Sequence, residues 1–464
     1  MKYLIFGTGD YYERYKKWFN NDEITALLDN SPQKAGTYID GIQVLTPEDG
    51  VKLEFDVIVI LSFYVKAMKQ QLMGLGVDEE KIYHFYDLHR FIDRAGRKKE
   101  IVYFGAQKEE ALSDKAHKVL LLSQDMTLGG PAIALYHAAE ILIKNGYQVI
   151  WGTMIDGPLR QKVVELGITV VLDVNLQIET MKDADWTQGF SLVFCNAINF
   201  CVYLSERYPN TPIIWWLHDS AFFYDGIDKD MLFRLDRRNL TVCAVGPVPA
   251  QVIQSFVPDL PVTNLLYGVA DCCKCTDKVE KDCDRICFVT IGYVEERKGQ
   301  DILVKAVKCL PIEQKKKAVF YLVGQNTSTM AQRLKAKLNR IPEIRLLGTV
   351  DRNQINKILD RADVMICPSR EDPMPTVAAE AMMHSVPCIV SDVTGTAAYI
   401  SDGVDGLVFR SEDEYDLSLQ IKWCIENHDK LCGMGVRARQ IYNNYFSMEV
   451  FEQNLLNIVN QEVR

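Results

Sequence analysis

The stretch REDPMPTVAAEAM contains three acids, Glu371, Asp372 and Glu380, around a predicted helix start. Pro375 and Thr376 are residue types that open helices, and the first amides of such a helix can bind an anion. Carboxylates also accept hydrogen bonds from the vicinal hydroxyls of a sugar or a ribose. Acids that only complement the helix dipole would explain Glu371 and Asp372, but Glu380 comes too late in the helix for that role. The stretch therefore predicts a pocket for phosphate and sugar hydroxyls.

Three further segments place glycine or polar residues after predicted strands. In VTIGYVEERKGQDILVKA, Gly292 follows a strand and Lys298 precedes a helix. A lysine at that place can bind a phosphate group, and the alternative is a solvated surface lysine. Gly129 and Gly130 precede another helix, where backbone without side chains can approach a ligand closely. His218 follows the buried strand IIWWL, where a histidine is either structural or functional.

These residues need elements that position them, and the order of strand then helix indicates an α/β fold with parallel sheets. We predict three domains, at residues 1–113, 114–275 and 276–464, with the C-terminal helix packing back on the second domain. Pro131 fits the first turn of a helix in the second domain and Gly146 fits its C-terminal cap. The segment IVYFGA is predicted as a further strand of the first domain. Doubly wound domains bind ligands at the carboxyl ends of their strands, where the residues above fall.

The first domain contains part of a dinucleotide-binding pattern. Gly7 and Gly9 lie in GTGDYY, and Asp29 falls 20 residues after Gly9, where a ribose-binding acid is expected. However, Tyr12 stands where the pattern needs a small third residue for close packing of helix and strand. We therefore expect an interaction or acceptor-recognition role for this domain, with an NAD site as the alternative.

The composition and the charge argue against several classes of protein. The chain has 464 residues, 48% of them hydrophobic and 25% charged, and a net charge of −10. This charge argues against a nucleic-acid binder, which needs a basic face. The longest apolar runs suit buried strands rather than a membrane span, and the N-terminus lacks the features of a signal peptide. We expect a cytoplasmic protein.

The 13 cysteines are expected to be reduced in that compartment, mostly as small core residues. One cluster differs, with five cysteines in DCCKCTDKVEKDCDRIC: Cys272, Cys273, Cys275, Cys283 and Cys287. Their spacing is not a clean pair of zinc knuckles. A connecting loop with free thiols is the expectation, and a zinc site is the alternative.

At this point the sequence resembles a known family. Residues 284–460 resemble the donor domain of glycosyltransferase family 4, through IGYVEERKGQDILVKA, FYLVG, RLLGTV, ADVMICPSREDPMPTVAAEAMMHSVPCIVSD and ISDGVDGLVF. The second domain resembles the acceptor domain of that family through LGGPAIALYHAAEILIKNGYQV and WWLHD. The resemblance implies the GT-B fold, which has two doubly wound Rossmann-like domains. Here a small N-terminal Rossmann-like α/β domain is added to them.

The resemblance implies roles for the charged residues. Lys298 matches the lysine that binds the donor diphosphate. Glu380 matches the second acid of the E-x7-E motif, which holds the nucleotide ribose. Counting back eight residues gives Asp372 and not Glu371, so Asp372 takes the first-acid position that faces the transferred sugar.

Other residues are matched to the donor site as well. Gly129 and Gly130 match the glycine loop that faces the donor, and His218 matches a histidine near the transferred sugar. The predicted catalytic residues are Lys298, Asp372 and His218. The predicted donor-binding residues are Gly129, Gly130, Gly292, Arg297, Glu371, Thr376 and Glu380.

Two departures from the family pattern concern the donor site. The family often has an arginine directly after the glycine of the first loop, and Tyr293 stands there instead. Arg297, next to Lys298, is the candidate for the missing charge. The first acid is Asp372 rather than glutamate and reaches one methylene less, which bears on sugar selectivity rather than on the type of reaction.

The resemblance thus implies a retaining hexosyltransferase that uses a nucleotide-diphosphate sugar, and no metal or other cofactor is expected. The expected acceptor is a carbohydrate, a lipid-linked molecule or a protein, in surface polysaccharide, glycolipid or protein glycosylation. No nucleic-acid partner is expected. Two points stay open. One is a location at the inner face of the membrane. The other is a homo-oligomer or a partner subunit that binds through the N-terminal domain. The alternatives are a nucleotide-sugar epimerase of the same fold and a non-catalytic partner subunit.

Overall fold

The structure is a computed structural model. It describes residues 1–20, 23–62, 64–90, 101–105, 113–273, 285–325, 328–338 and 341–462. The chain divides into two compact units. The first unit comprises Met1–Leu128, Gly146–Trp215 and Ala221–Leu240, and the second comprises Gly129–Asn145, Trp216–Ser220 and Thr241–Arg464. The residues in these ranges form three β-sheets.

The first sheet lies at the N-terminus. Its strands are β1 (Tyr3–Phe6), β2 (Ile24–Leu28), β3 (Tyr38–Ile39), β4 (Ile42–Leu45), β5 (Val57–Ile60) and β6 (Ile82–His84), and the helices among them are α1 (Asp10–Tyr15), α2 (Pro47–Gly50) and α3 (Val65–Gly74). The strand order is β3-β4-β2-β1-β5-β6, and β3 is the antiparallel edge strand. Alternate residues of β1 and β5 form the core with α3, because successive side chains of a strand point to opposite faces.

Eight strands of the second sheet lie in the described part of the chain. They are β7 (Val102–Phe104), β8 (Lys118–Asp125), β9 (Gln148–Ile155), β10 (Thr169–Leu172), β11 (Leu192–Asn196), β12 (Ile213–Leu217), β13 (Leu240–Ala244) and β14 (Val262–Asn264). The helices among them are α4 (Gly130–Lys144), α5 (Leu159–Glu165), α6 (Cys201–Ser205), α7 (Lys229–Phe233) and α8 (Pro247–Phe256). The strand order is β14-β13-β12-β11-β8-β9-β10-β7.

One strand assignment is corrected by this topology. The strand predicted at IVYFGA forms as β7, but it pairs antiparallel with β10 of the second sheet and not with the first sheet. The register joins Tyr103 to Val171 and Phe104 to Val170. A short strand that is at most partly buried can close the edge of either sheet, and nothing in its own residues selects one edge over the other. Apart from this strand, the predicted domain boundaries at residues 113 and 275 stay a prediction.

The third sheet forms the core of the C-terminal part. Its strands are β15 (Ile286–Ile291), β16 (Ala318–Val323), β17 (Ile344–Gly348), β18 (Val364–Cys367), β19 (Cys388–Ser391) and β20 (Leu407–Phe409). Its helices are α9 (Gln300–Cys309), α10 (Ile312–Lys316), α11 (Thr329–Leu338), α12 (Arg352–Arg361), α13 (Thr376–Met383), α14 (Glu414–Glu426), α15 (His428–Ile441) and α16 (Met448–Glu462). All pairings are parallel, in the order β17-β16-β15-β18-β19-β20.

This order places a topological switch point between β15 and β18. From β15 the chain runs to β16 and β17 on one side, and β18, β19 and β20 follow on the other side. The loops that leave β15 and β18 therefore diverge, and a crevice opens at the carboxyl ends of these two strands. The predicted residues Lys298 and Asp372 lie in those two loops.

Helix α4 has the predicted proline in its first turn and the predicted glycine after its end, and it lies in the second compact unit. Pro131 stands in its first turn, and Gly146, with φ of +85°, follows its end. Helix α16 packs against it, since Lys144 Nζ lies 2.8 Å from a carboxylate oxygen of Glu452. The ring of Phe451 stacks on Trp216 at 5.6 Å between centroids.

Among the helices that the structure describes, none combines the length and the apolar character that a bilayer crossing requires.

The packing of α16 can be tested with Phe451→Ala. The side chain of Phe451 is 1% exposed, so its removal leaves a cavity beside Trp216. We expect a loss of about 3–5 kcal/mol in the free energy of unfolding of the full chain, measured by denaturant titration. Leu419→Ala, at a residue 63% exposed, is the control and should change it by less than about 0.5 kcal/mol. Equal effects of the two substitutions would contradict this packing.

Candidate functional site

Lys298 lies in a short 3-10 turn, Glu296–Lys298, between β15 and α9. Gly299 closes this turn with φ of +66°, a conformation that favours glycine. A Cβ at residue 299 would stand 1.9 Å from the carbonyl oxygen of Pro368, in the loop after β18. The close approach of the two loops therefore requires glycine at this position, and it brings Lys298 to the loop that contains Asp372.

Lys298 and Asp372 form an ion pair at the switch point. Lys298 Nζ lies 2.5 Å from Asp372 Oδ2. Asp372 is 5% exposed, and its backbone is fixed by a β-bridge to Thr394 and by the amide of Gly395, which donates to its carbonyl oxygen at 3.0 Å. A buried carboxylate is costly without a cation or hydrogen-bond donors, so the ammonium stabilises Asp372 in this position.

Glu371 and Arg297 occupy the neighbouring positions. Arg297 Nη1 donates to the backbone carbonyl of Glu371 at 3.2 Å, and its Nη2 lies 2.9 Å from Glu295 Oε1. The carboxylate that contacts Lys298 is thus the one at 372, and Arg297 contacts the main chain of residue 371. Tyr293 is 63% exposed and supplies no charge. Arg297 therefore contacts the loop after β18, and its charge is paired with Glu295.

The N-termini of two helices meet beside this loop, both in the second compact unit. Helix α13 starts at Thr376 behind Pro375, and no side chain caps its first turn. Helix α4 starts at Gly130, where a Cβ would lie 3.8 Å from the Thr376 side chain. The first amides of a helix and its dipole favour negative charge, so this junction suits an anion.

Glu380 lies one turn inside α13 and is 7% exposed. Its Oε1 accepts from Arg352 Nη1 at 2.7 Å. Its Oε2 is buried and has no hydrogen-bond partner among the described residues. Burial raises the pKa of Glu380, and the positive charge of Arg352 opposes this shift. This oxygen is therefore a buried acceptor that lacks a donor among the described residues.

Two residues near the carboxylates were not predicted from the sequence. Arg352 is the first residue of α12, after β17, and its position in a loop at the carboxyl edge of the sheet could have suggested it. Tyr267 is buried, and its hydroxyl lies 3.4 Å from the carbonyl of Met374. Burial, with the charges of Asp372 and Glu380, raises the pKa of Tyr267 well above its ordinary value. No local pattern marks Tyr267, because the chain brings it there from before the third sheet.

His218 follows β12 and is 9% exposed, with its ring 4.4 Å from that of Trp216 between centroids. Its Nε2 is buried without a hydrogen-bond partner among the described residues. Burial lowers the pKa of His218 to about 3, so the imidazole is neutral near pH 7. A neutral ring can exchange a hydrogen bond with a sugar hydroxyl but carries no charge to a phosphate.

In the first sheet, the contacts of Asp29 and Tyr12 bear on the predicted dinucleotide pattern. Asp29 lies 3.0 Å from Lys34 Nζ, accepts from the Thr8 hydroxyl, and accepts from the Ser31 amide at 2.8 Å. Tyr12 is buried, and its hydroxyl donates to Asp40 at 3.1 Å. The carboxylate at the predicted ribose position is thus already bound by side chains of its own domain.

The predicted cysteine cluster is described in part. Cys272 and Cys273 are partly buried, and Cys287 is buried in β15. Cys275 and Cys283 lie outside the described residues. The described part of the cluster therefore separates into a strand cysteine and two cysteines that precede the sheet.

Comparison with known families gives three matches along the chain. Residues 276–444 match the family model of Glycosyl transferases group 1, and residues 115–241 match Glycosyl-transferase family 4. Residues 1–83 match the family model C2185-like, N-terminal. The first two matches together span more than half of the chain.

Curated relatives match a smaller part. An uncharacterized 41.2 kDa protein in the cps region of Klebsiella pneumoniae is 28% identical over 141 residues, which are 30% of this chain and 37% of that protein. An uncharacterized glycosyltransferase of Methanocaldococcus jannaschii is 26% identical over 159 residues, which are 34% of this chain and 43% of that protein. This chain thus spans about two fifths of the length of these relatives.

Among solved structures, Anabaena HepE in complex with UDP and glucose is similar to this chain. The TM-score is 0.59 at 18% sequence identity, over 74% of this chain and 99% of that chain. At this identity the likeness concerns the fold alone. It confirms the predicted α/β fold of GT-B type.

The neutral state of His218 predicts a pH dependence of stability. The unfolded histidine takes a proton below about pH 6.5 and the folded one only near pH 3, so acidification through this window favours unfolding. The wild type should lose about 1.4 kcal/mol per pH unit more than His218→Asn between these values. Denaturant unfolding from pH 6.5 to pH 4 measures the difference. A wild-type slope in His218→Asn would contradict the assignment.

Proposed function

The chain belongs to the glycosyltransferases of the group 1 and family 4 type with a GT-B fold, and we propose that it transfers a hexose from a nucleotide-diphosphate sugar to an acceptor hydroxyl. The observation that carries the proposal is a pair of buried carboxylates, each bound to one cation. Asp372 contacts Lys298 and Glu380 contacts Arg352, on either side of the start of α13.

Glu380 is proposed to bind the ribose of the donor. Its Oε1 is held by Arg352, and its Oε2 is buried and lacks a partner among the described residues. A vicinal diol supplies the hydroxyl donor that this oxygen lacks, and a buried acceptor that gains a donor recovers its desolvation cost. Arg352 is proposed to keep the carboxylate ionised and fixed in orientation while the ribose binds.

The diphosphate is proposed to lie at the junction of the two helix starts. Lys298 has three donor hydrogens, and one ion pair with Asp372 leaves others for phosphate oxygens. The first turns of α4 and α13 add backbone amides at Gly130 and Thr376. This placement leaves Asp372 beside the sugar that is transferred, where its carboxylate can accept from a sugar hydroxyl.

In the proposed reaction the bond between the anomeric carbon and the β-phosphate oxygen breaks, and both electrons stay with the nucleoside diphosphate. The acceptor oxygen forms the new bond on the face that the diphosphate leaves, which retains the configuration. The acceptor proton passes to the departing phosphate. Charge that builds on that phosphate is stabilised by Lys298 and the helix amides, which are already in place. We propose that this chain needs no metal for the step.

The nature of the donor and acceptor is part of the proposal. The solved HepE structure is a complex with UDP and glucose, which supports a UDP-hexose as the first donor to test on this chain. Carbohydrate, lipid-linked and protein acceptors fit an enzyme of surface polysaccharide, glycolipid or protein glycosylation. A cytoplasmic location, where nucleotide sugars are made, agrees with this proposal.

The test is incubation of the full chain with UDP- and GDP-hexoses, with and without acceptor mixtures, in the presence of EDTA. The proposal expects nucleoside diphosphate release that depends on acceptor. If a 2-epimer of the sugar forms from the donor alone, the chain is a nucleotide-sugar epimerase and the proposed transfer is contradicted. Absence of nucleotide binding in calorimetry would contradict a donor site at these residues.

Lys298→Ala is expected to lower the rate of transfer at least about 100-fold, because it removes the cation proposed to stabilise the departing phosphate. The melting temperature should also fall, because the buried Asp372 carboxylate loses its cation, so the rate is compared at a temperature at which the variant is folded. Lys308→Ala, at an exposed lysine of α9, is the matched control and should retain full activity. Full transfer by Lys298→Ala would contradict the assigned role of this lysine.

A further inference from the structure

A second cluster of polar residues lies at the other end of α13. The segment that precedes the third sheet passes close to the helix end, where the Cys272 amide donates to Met383 Sδ at 3.3 Å. Arg439 binds the carboxylate of Asp271 and the carbonyl of Met383. The Cys273 amide in turn donates to Asp271 Oδ1 at 3.0 Å. These contacts fix Cys273 beside the C-terminus of α13.

Three metal-binding side chains meet there. One ligand atom from each of Cys273, Asp360 and His384 lies within 4.8 Å of the other two. Each residue comes from a different segment: Asp360 from α12, His384 from the end of α13, and Cys273 from the segment before the sheet. Sulfur, imidazole nitrogen and a carboxylate oxygen are the three donor types that Zn²⁺ uses in proteins.

Two of the three ligand side chains are already in contact. The side chain of His384 is almost fully buried, and its Nδ1 lies 2.7 Å from Asp360 Oδ1. An ion shared with Asp360 would therefore bind Nδ1 and replace this hydrogen bond. Asp360 is partly exposed, which leaves a path from solvent to the cluster.

We propose that Cys273, Asp360 and His384 form a site for one divalent zinc ion. A thiolate and a carboxylate carry two negative charges, which balance the charge of the ion, and the imidazole binds in its neutral form. Binding releases the thiol proton to solvent, and a water molecule completes a tetrahedral set. The site is separate from the transfer reaction, which we propose to need no metal.

The ion would tie together three segments that are distant in sequence. Cys273 precedes the sheet, and α12 and α13 carry Arg352 and Glu380 at the donor site. His384 follows Glu380 by four residues, and its amide donates to the Glu380 carbonyl at 3.2 Å. A ligand that binds only the folded state raises the melting temperature, so zinc should stabilise the full chain.

The experiment uses the full chain, reduced and stripped of metal with EDTA, and titrates it with Zn²⁺ and with Co²⁺. We expect one ion per chain, a rise in melting temperature with Zn²⁺, and the thiolate charge-transfer absorption of a cysteine-bound Co²⁺. Cys273→Ser should lose the absorption. Asp360→Asn, at a partly exposed residue, should weaken Zn²⁺ binding at least tenfold. Cys309→Ser, at an exposed cysteine outside the cluster, should bind as the wild type does.

Two results would overturn the proposal. One is the absence of saturable uptake of either ion by the reduced wild type. The other is uptake that stays unchanged in both Cys273→Ser and Asp360→Asn, which would assign the ion to other cysteines. Melting curves of both variants without metal establish that each is folded, so a loss of binding reports the ligands themselves.

Discussion

The ion pair between Lys298 and Asp372 is the interaction on which the arrangement of the donor site depends. Asp372 is buried in the loop after β18, and an unpaired carboxylate there would be strongly unfavourable. Lys298 can reach it only because the loop after β15 passes close to Pro368, at a position where any Cβ on Gly299 would clash. The amide of Arg370 donates to the carbonyl of Arg297 at 2.8 Å and joins the same two loops.

The second carboxylate repeats this arrangement with one difference. Glu380 also has a cation, Arg352, but one of its oxygens has no partner among the described residues. The carboxylate of Asp372 is thus paired with Lys298, whereas one oxygen of Glu380 lacks a donor among the described residues. The start of α13 lies between these two acids in sequence and is in contact with Gly130 at the start of α4. The positive dipole ends of the two helices favour an anion there without a cationic side chain. His218, after β12, has a neutral imidazole, since burial lowers its pKa.

Much of this site follows from the sequence, because its main features are local. Proline and threonine mark the start of α13. The choice of Asp372, the acid that Lys298 contacts in the structure, came instead from the resemblance, whose E-x7-E spacing counts back eight residues from Glu380. Other features depend on contacts between distant segments and leave no local pattern. Arg352 reaches Glu380 across 28 residues. The strand β7 joins the second sheet through pairing with β10, for which its own residues show no preference.

We propose that Asp372, held by Lys298, faces the transferred sugar, while Glu371 serves the loop through its backbone. This assignment is tested by comparing the steady-state transfer kinetics of Asp372→Asn and Glu371→Gln, with melting temperatures to establish folding. We expect kcat/KM to fall at least about 100-fold in Asp372→Asn and less than about threefold in Glu371→Gln. The reverse order, or equal losses in the two variants, would contradict the assignment.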